Sequence, residues 1–335
     1  MKARQDAWKS VQAVRKKYAT VSVGKFNTSA DLQRWFEKQR PAFQFKGKPG
    51  ESHRVFVASA DTFGDECGQP WQSLSNKSED FGELVKFMSS QTGAADLLLC
   101  FDGRNVADRK VIEPLMESTR NSGDLWILYK PMARLGGKGS VWSSNLKEVC
   151  WISFPVSRTS SKADDKNSTR DEDDWMTGGS YCGVEAVPWK SLPLLPVADK
   201  ATIMGGEPAV PPTTVFDADL MGMPLYWQES KPISLWEDVF STVGAQFVVD
   251  LSPGSGAAGR AAMRLGISYL GLCRGDRHAL WLANVFDRVA CHLIADAKAP
   301  LFDKDLASSI NTHFDDVLKH MAKMTDDTVS DSDQD

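Results

Sequence analysis

The sequence predicts an α/β fold, in which a mostly parallel sheet carries helices on both faces. Short β-rich runs alternate along the 335 residues with segments of helical periodicity, which is typical of that class. The run 95–103 ("ADLLLCFDG") is almost continuously apolar, as expected of a strand buried on both faces. A strand, a glycine-rich turn, a helix and a second strand follow one another within 246–273, which predicts a parallel βαβ unit.

The predicted elements of the first half begin with a helix near the N-terminus. Thr28 or Ser29 can cap this helix, which runs to about Gln39 before Pro41 stops it. Short runs rich in apolar residues then predict four strands, and a helical segment is predicted at 111–118. In chain order the four strands are 53–61, 95–103, 123–131 and 147–155.

The predicted elements of the second half alternate regularly. An amphipathic helix ends at Gly244, and a buried strand, a helix, a second strand and a long helix follow it. These five elements cover 234–244, 246–250, 257–265, 267–273 and 276–297.

The chain divides into five segments by composition. The predicted segments are a basic helical extension (1–52), a first half-domain (53–155), an irregular and partly disordered insertion (156–225), a second half-domain (226–322) and an acidic disordered tail (323–335).

The net charge of −5 conceals an uneven distribution. Residues 1–54 hold 13 Lys and Arg against 4 Asp and Glu, and aromatic residues are interleaved among them. Basic charge with interleaved rings suits a nucleic-acid backbone and its stacked bases, so DNA or RNA is a candidate partner of this segment. The alternative is a solvated helical extension whose rings pack on the main domain.

Several classes of protein are not indicated. No apolar run approaches the roughly 20 residues of a membrane helix, and the first residues lack the apolar core of a secretory signal. The six cysteines form no CxxC pair, and the five histidines show no metal-ligand spacing. We therefore expect an intracellular protein, nuclear or cytoplasmic, with reduced thiols and no bound metal.

The glycine-rich turn fits the G-x-G-x-x-G pattern at Gly254, Gly256 and Gly259. A P-loop is excluded because Arg260-Ala261 stands where Lys-Ser/Thr would grip phosphate and magnesium. A nucleophile elbow is excluded because Pro253 stands where that turn needs glycine.

Asp250 ends the strand four residues before Gly254. A carboxylate at that position faces the edge of the sheet where such folds bind ligands. It would repel a pyrophosphate but suits an ammonium or sulfonium group, which favours S-adenosylmethionine (SAM) as the ligand. The alternative is a tight turn that binds nothing.

The stretch 250–273 resembles the methyl-donor motif of the β-group DNA amino-methyltransferases, which modify N4 of cytosine or N6 of adenine. That motif is Asp-Pro-Phe-x-Gly-Ser-Gly-Thr, followed by a helix with paired alanines and a strand ending Tyr-Ile-Gly-x-Glu. A second family motif, Lys-Pro-x-x-Leu, matches Lys231-Pro232-Ile233-Ser234-Leu235, which begins 19 residues before Asp250. The matching positions of the first motif are Asp250, Gly254, Ser255, Gly256, Ala261, Ala262, Leu265, Gly266, Tyr269, Leu270 and Gly271.

The resemblance implies a Rossmann-like, SAM-dependent methyltransferase fold and a set of site residues. Asp61 lies where the family places an acid near the adenine of SAM, and Cys273 replaces the glutamate that binds the ribose hydroxyls. Leu251-Ser252 replaces the family's Pro-Phe. The residues implied to bind SAM are Asp250, Ser252, Pro253, Gly254, Ser255, Gly256, Lys231, Pro232, Cys273 and Asp61.

The resemblance also implies a catalytic acid. The family's motif Asp-Pro-Pro-Tyr is expected at the end of the strand 95–103, where this chain has Phe101-Asp102-Gly103-Arg104-Asn105. Asp102 would accept a hydrogen bond from the target amine, while both prolines and the aromatic ring that stacks on a flipped base are absent.

Two functional hypotheses follow. The first is an enzyme that binds SAM and methylates exocyclic amines of DNA or RNA. The second is a catalytically inactive protein of the same fold that serves as a scaffold or a nucleic-acid-binding module. A dinucleotide oxidoreductase is less favoured, because Cys273 stands where an acid would bind the ribose.

Overall fold

The computed structural model describes most of the sheet and its helices. The described residues are 2–24, 29–39, 54–60, 77–92, 96–102, 110, 112, 114, 121–128, 147–154, 203–204, 213–215, 225–227, 231, 233–242, 244–273, 275–314 and 318.

Ten strands are described, and eight of them form one sheet. In chain order they are β1 (Ala19–Val23), β2 (Arg54–Ser59), β3 (Leu97–Phe101), β4 (Asn121–Leu128), β5 (Lys147–Phe154), β6 (Ile203–Met204), β7 (Thr213–Val215), β8 (Leu225–Trp227), β9 (Phe247–Asp250) and β10 (Ser268–Cys273). The order across the large sheet is β1-β10-β9-β2-β3-β5-β4-β6, and β7 and β8 form a separate antiparallel pair.

The first five strands of this order run parallel to one another, and β5 is antiparallel to both β3 and β4. The described helices are α1 (Lys2–Tyr18), α2 (Ser29–Gln39), α3 (Lys77–Gln91), α4 (Ile233–Thr242), α5 (Ala257–Arg264), α6 (Asp276–Ala295) and α7 (Lys304–His313). The predicted α/β class with a mostly parallel sheet is confirmed.

Alternate residues of the central strands enter two separate cores. On β3, Leu97, Leu99 and Phe101 face a first core, whereas Leu98 and Cys100 face a second. The first core includes buried side chains of α1, α4, α5, α6 and α7, and the second includes those of α2 and α3. This alternation follows from the two-residue period of a strand, and it places helices on both faces as predicted.

The N-terminal segment differs from the prediction. The predicted helix 29–39 is present as α2, but 19–23 forms β1, which pairs in parallel with β10 at the edge of the large sheet. Ala7 and Val11 of α1 are buried in the first core. Residues 2–24 are therefore part of the sheet domain, because β1 pairs with β10 and α1 packs on the first core.

The predicted strands are all present, and β1, β6, β7, β8, α3 and α7 are additions to the prediction. Most of the predicted insertion, 156–225, and the acidic tail, 323–335, lie outside the described residues. The described part of the insertion is not wholly irregular, because β6 pairs with β4. The predicted helix 111–118 is described only at Ile112 and Pro114, both helical. Of the helices described, none has the length and apolar character needed to cross a membrane.

Candidate functional site

The connections of the parallel strands diverge between β9 and β2. From β9 the chain passes through α5 to β10 on one side, and from β2 it passes through α3 to β3 on the other. Open α/β sheets bind their ligands at the carboxyl ends of the strands where the connections diverge in this way. The last residues of the two strands are Asp250 and Ser59, so the geometry points to a candidate site around them.

Two hydrogen bonds hold the chain after β9 against β2. The Leu251 N–H donates to the carbonyl of Val57 at 3.0 Å, which extends the pairing of the two strands by one residue. The Ser59 N–H then donates to Oγ of Ser252 at 2.7 Å. The start of the glycine turn is therefore fixed against the end of the neighbouring strand.

Asp250 is buried, with 2% of its surface exposed. Its Oδ1 accepts a hydrogen bond from the Ser252 N–H and its Oδ2 accepts one from the Tyr269 hydroxyl, each at 2.9 Å. Burial raises the pKa of Asp250 to about 6, against the opposing effects of these two hydrogen bonds, of the Lys231 charge and of a longer hydrogen bond from the Ser252 hydroxyl at 3.5 Å. The carboxylate is therefore mostly ionised at pH 7.

Lys231 supplies a positive charge to the same region. Its side chain is buried, and its Nζ lies 5.0 Å from the centre of the Phe101 ring at the end of β3, a cation–π contact. Its charge also lowers the pKa of Asp250. The carboxyl edge of the sheet thus holds a buried cation and a buried anion that act on each other.

The glycine turn connects β9 to α5 through two residues with positive φ. Gly254 has φ +49° and Gly256 has φ +79°, both in the left-handed region that glycine adopts most easily. The Gly256 N–H donates to the carbonyl of Pro253 at 2.7 Å and closes the turn. A Cβ on Gly256 would lie 2.4 Å from Cδ1 of Leu282, so this glycine also allows α5 and α6 to pack closely.

His278 of α6 contacts the turn from the side. Its Nε2 lies 2.7 Å from the carbonyl oxygen of Gly254. Burial lowers the pKa of His278 to about 4, so the ring is neutral at pH 7. Because a carbonyl only accepts hydrogen bonds, Nε2 carries the ring proton.

The Tyr269 and His278 contacts were not predicted from the sequence. The resembled motif includes Tyr269 without giving it a role, and the histidines, His278 among them, show no metal-ligand spacing in the sequence. Tyr269 lies 19 residues from Asp250 in the chain. The βαβ unit offers a signal, since its two strands lie side by side and Gly271, the partner of Asp250 in the register, leaves space beside Tyr269.

The other predicted site residues that the structure describes do not lie at the glycine turn. Asp102 directly follows β3, one strand beyond β2, and it is fully buried. Cys273 ends β10, and its side chain is buried. Asp61 and Pro232 lie outside the described residues. The structure thus brings together Lys231, Asp250, Ser252 and the glycine turn, and it places Asp102 two strands from Asp250.

Comparison with solved structures gives matches of low identity. The chain is similar to the complex of M1.HpyAVI with SAM, with a TM-score of 0.43 and 11% identity over 80% of this chain and 98% of that one. It is similar to the cytosine-N4-specific PvuII DNA methyltransferase, with a TM-score of 0.45 and 12% identity over 90% and 93%. A candidate DNA modification methylase from Thermus thermophilus matches with a TM-score of 0.42 and 12% identity over 81% and 96%. No family model and no curated protein matches the sequence.

Proposed function

We propose that this chain binds SAM at the carboxyl edge of its sheet and transfers the methyl group to an exocyclic amine of DNA or RNA. The observation that carries the proposal is the buried carboxylate of Asp250 at the point where the strand connections diverge. A carboxylate offers about four acceptor positions, and the described hydrogen bonds to Asp250 are two at 2.9 Å and a longer one from the Ser252 hydroxyl at 3.5 Å. Asp250 is therefore able to accept a further hydrogen bond from a ligand.

The charges of the site support a zwitterionic ligand. Asp250 is mostly ionised at pH 7 and favours an ammonium or sulfonium group. Lys231, close enough to lower the pKa of Asp250, favours a carboxylate. An amino-acid-bearing nucleoside has all of these groups, whereas a pyrophosphate would meet the buried carboxylate.

The remaining roles in the donor site follow the resemblance. The turn residues Ser252, Pro253, Gly254, Ser255 and Gly256 would lie along the ligand, with Pro232 beside Lys231. Cys273 would lie near the ribose and Asp61 near the adenine.

In the proposed reaction SAM supplies an electrophilic methyl group on a sulfonium. The nitrogen of the target amine forms the new bond to the methyl carbon as the carbon–sulfur bond breaks, and the nitrogen then loses a proton to solvent. Asp102 would accept a hydrogen bond from the amine and align its lone pair, so the protein contributes mainly proximity and orientation.

The exposed face of α1 supports a polyanionic substrate. Lys2, Lys9 and Lys16 recur every seven residues and are exposed. The opposite face of α1 carries the buried residues Ala7 and Val11. Lysines on one exposed face suit the phosphates of a nucleic-acid backbone.

A second candidate function is a scaffold or nucleic-acid-binding module without methyl transfer. The observation that favours it is the full burial of Asp102 at the end of β3, two strands away from Asp250. The absence of the two prolines and the ring after β3 points the same way.

Calorimetry with SAM tests the donor site. We expect the wild-type protein to bind SAM. Asp250→Ala should lower the affinity by about tenfold to a hundredfold, because a charged hydrogen bond is lost. Asp250→Asn, which keeps the shape, should lose similar affinity, while Asp305→Asn at an exposed position of α7 should bind normally. No heat with the folded wild-type protein would rule out the donor site.

A radiolabelled methyl assay on mixed DNA and RNA then separates the two candidates. Transfer by the wild-type protein and its loss in Asp102→Asn would support the enzyme with the proposed acid. SAM binding without transfer to either nucleic acid would favour the scaffold.

A further inference from the structure

Two buried side chains hold the glycine turn at two points, Asp250 and Gly254. The Tyr269 hydroxyl donates to Oδ2 of Asp250 at 2.9 Å, and Nε2 of His278 donates to the Gly254 carbonyl at 2.7 Å. Both side chains are at least 97% buried. They come from different elements, β10 and α6. The start of the turn is therefore fixed to the sheet at Asp250, and its middle is fixed to a helix at Gly254.

The position of the Tyr269 hydroxyl is set by packing. The Tyr269 ring makes an edge-to-face contact with Phe286, with ring centres 5.5 Å apart. A Cβ at Gly271 would lie 3.0 Å from the Tyr269 hydroxyl, so glycine at this position leaves the space through which the hydroxyl reaches Asp250. The carboxylate therefore has a partner whose ring is held in place by the core.

The His278 contact orients the peptide group after Gly254. In a planar trans peptide the carbonyl and the following N–H point in opposite directions. Because the Gly254 carbonyl points to His278, the Ser255 N–H points away from α6. His278 thus fixes the direction of a main-chain donor inside the turn.

We propose that Tyr269 and His278 are positioning residues of the ligand site, Tyr269 for the carboxylate of Asp250 and His278 for the peptide between Gly254 and Ser255. This inference rests on the proposed function, since it concerns the same site. It predicts that ligand affinity depends on the two donors themselves and not only on the packing of their rings.

The charge of Asp250 gives the Tyr269 contact a measurable consequence. The groups of neighbouring elements that act on this carboxylate are Tyr269 of β10, Ser252 of the turn and Lys231 before α4. The hydroxyl favours the ionised form and lowers the pKa that burial raises. Because a ligand ammonium pairs with the ionised form, loss of the hydroxyl should move the pH midpoint of binding upward.

The test is SAM calorimetry between pH 4 and 8, which extends to both sides of the pKa of about 6 of Asp250. Tyr269→Phe keeps the ring and removes the donor, and Tyr18→Phe on α1 is the matched control. We expect Tyr269→Phe to bind about tenfold more weakly at pH 7 and to show a higher pH midpoint. The control Tyr18→Phe should match the wild-type protein in SAM affinity and in the pH midpoint of binding.

The histidine is tested by a rescue. His278→Leu removes the donor, whereas His278→Gln offers an amide N–H to the same carbonyl. We expect weaker binding in His278→Leu and partial recovery in His278→Gln, with His292→Gln on the same helix as the control. This pair also decides the inference if Tyr269→Phe does not fold, because equal affinity of His278→Leu and wild-type protein would overturn it.

The outcomes separate this inference from the proposed function. If the wild-type protein binds SAM and Tyr269→Phe binds with unchanged affinity and pH midpoint, the positioning role is overturned and the donor site stands. If the folded wild-type protein does not bind SAM at any pH, both are overturned. A weaker Tyr269→Phe with an unchanged pH midpoint would overturn the claim that the hydroxyl acts through the charge of Asp250.

Discussion

At the scale of single residues, the candidate site contains two buried groups whose pKa values shift toward the neutral form. Burial raises the pKa of Asp250 from 3.8 to about 6 and lowers the pKa of His278 from 6.5 to about 4. Both shifts have the same cause, since a low-dielectric surrounding penalises whichever form is charged. The two shifts change the free energy of unfolding with pH in opposite directions.

The opposite signs lead to a prediction for unfolding between pH 4 and 6.5. In that range folded Asp250 binds more protons than unfolded Asp250, so its contribution to stability falls as the pH rises. Folded His278 binds fewer protons than unfolded His278, so its contribution rises with pH. In the wild-type protein the two contributions should largely cancel.

Single variants should separate the two contributions. The free energy of unfolding of Asp250→Asn, relative to wild type, should rise by about 3 kcal/mol from pH 4 to 6.5. That of His278→Gln should fall by a similar amount over the same range. Urea denaturation at intervals of half a pH unit checks both, and difference profiles that stay flat with pH would contradict the assignment.

At the scale of elements, the close approach of α5 and α6 depends on glycine at the end of the turn. A Cβ on Gly256 would lie 2.4 Å from Cδ1 of Leu282 and 3.1 Å from Cε1 of Phe286. Gly259, inside α5, faces the same Phe286 ring, 2.3 Å from the place of its Cβ. The third glycine of the pattern therefore serves packing between helices.

A comparison of two glycine variants tests this packing. Gly244 has φ +62° and open space around its Cβ position, whereas Gly256 has φ +79° and the Leu282 contact. Gly244→Ala should cost about 1 kcal/mol, the penalty of the left-handed backbone alone. Gly256→Ala should cost roughly 1–3 kcal/mol more because the core must shift.

Chemical denaturation of both glycine variants and the wild-type protein gives the comparison. Each variant serves as the other's control, because both place alanine at a positive φ. Equal losses of stability would mean that α5 and α6 are not tightly packed at Gly256.

At the scale of the whole molecule, α1 packs beside α6 and α7 at the first core. Trp8 of α1 packs on Phe314 after α7, with ring centres 5.2 Å apart. Arg15 of α1 donates from Nε to Oδ1 of Asp287 at 2.7 Å, across 272 positions of the chain. Gln12 donates to the other oxygen of Asp287 at 3.0 Å.

The buried ion pair of Arg15 and Asp287 gives a prediction for how strongly α1 is attached to α6. Arg15→Ala should destabilise the protein by about 3–5 kcal/mol, because it leaves the Asp287 charge buried without its main partner. The double variant Arg15→Met, Asp287→Leu should lose much less, because no charge remains buried. Thermal and urea unfolding measure the difference, and the exposed pair Lys86 and Glu83 on α3 offers a control.

Removal of that control pair, by Lys86→Ala, should change the free energy of unfolding by less than about 1 kcal/mol because both side chains are exposed. A loss in Arg15→Ala no larger than in Lys86→Ala would mean that the N-terminal segment is only loosely attached to the rest of the molecule.

The sequence alone determined the elements whose signal is local. The strand at 97–101 is a continuous apolar run, and the turn at 250–256 is marked by an acid and spaced glycines. Both were predicted because a few neighbouring residues determine them. The N-terminal strand at 19–23 was missed, since it is short and lies among basic residues.

The tertiary structure alone decided which strand ends meet. Hydrogen bonding between strands far apart in the chain places β2, not β3, beside β9, and this separates Asp102 from Asp250. It also brings the Tyr269 hydroxyl to Asp250 and the His278 ring to Gly254. No local pattern encodes these contacts, because they arise from the register of paired strands and from the packing of a helix against a turn.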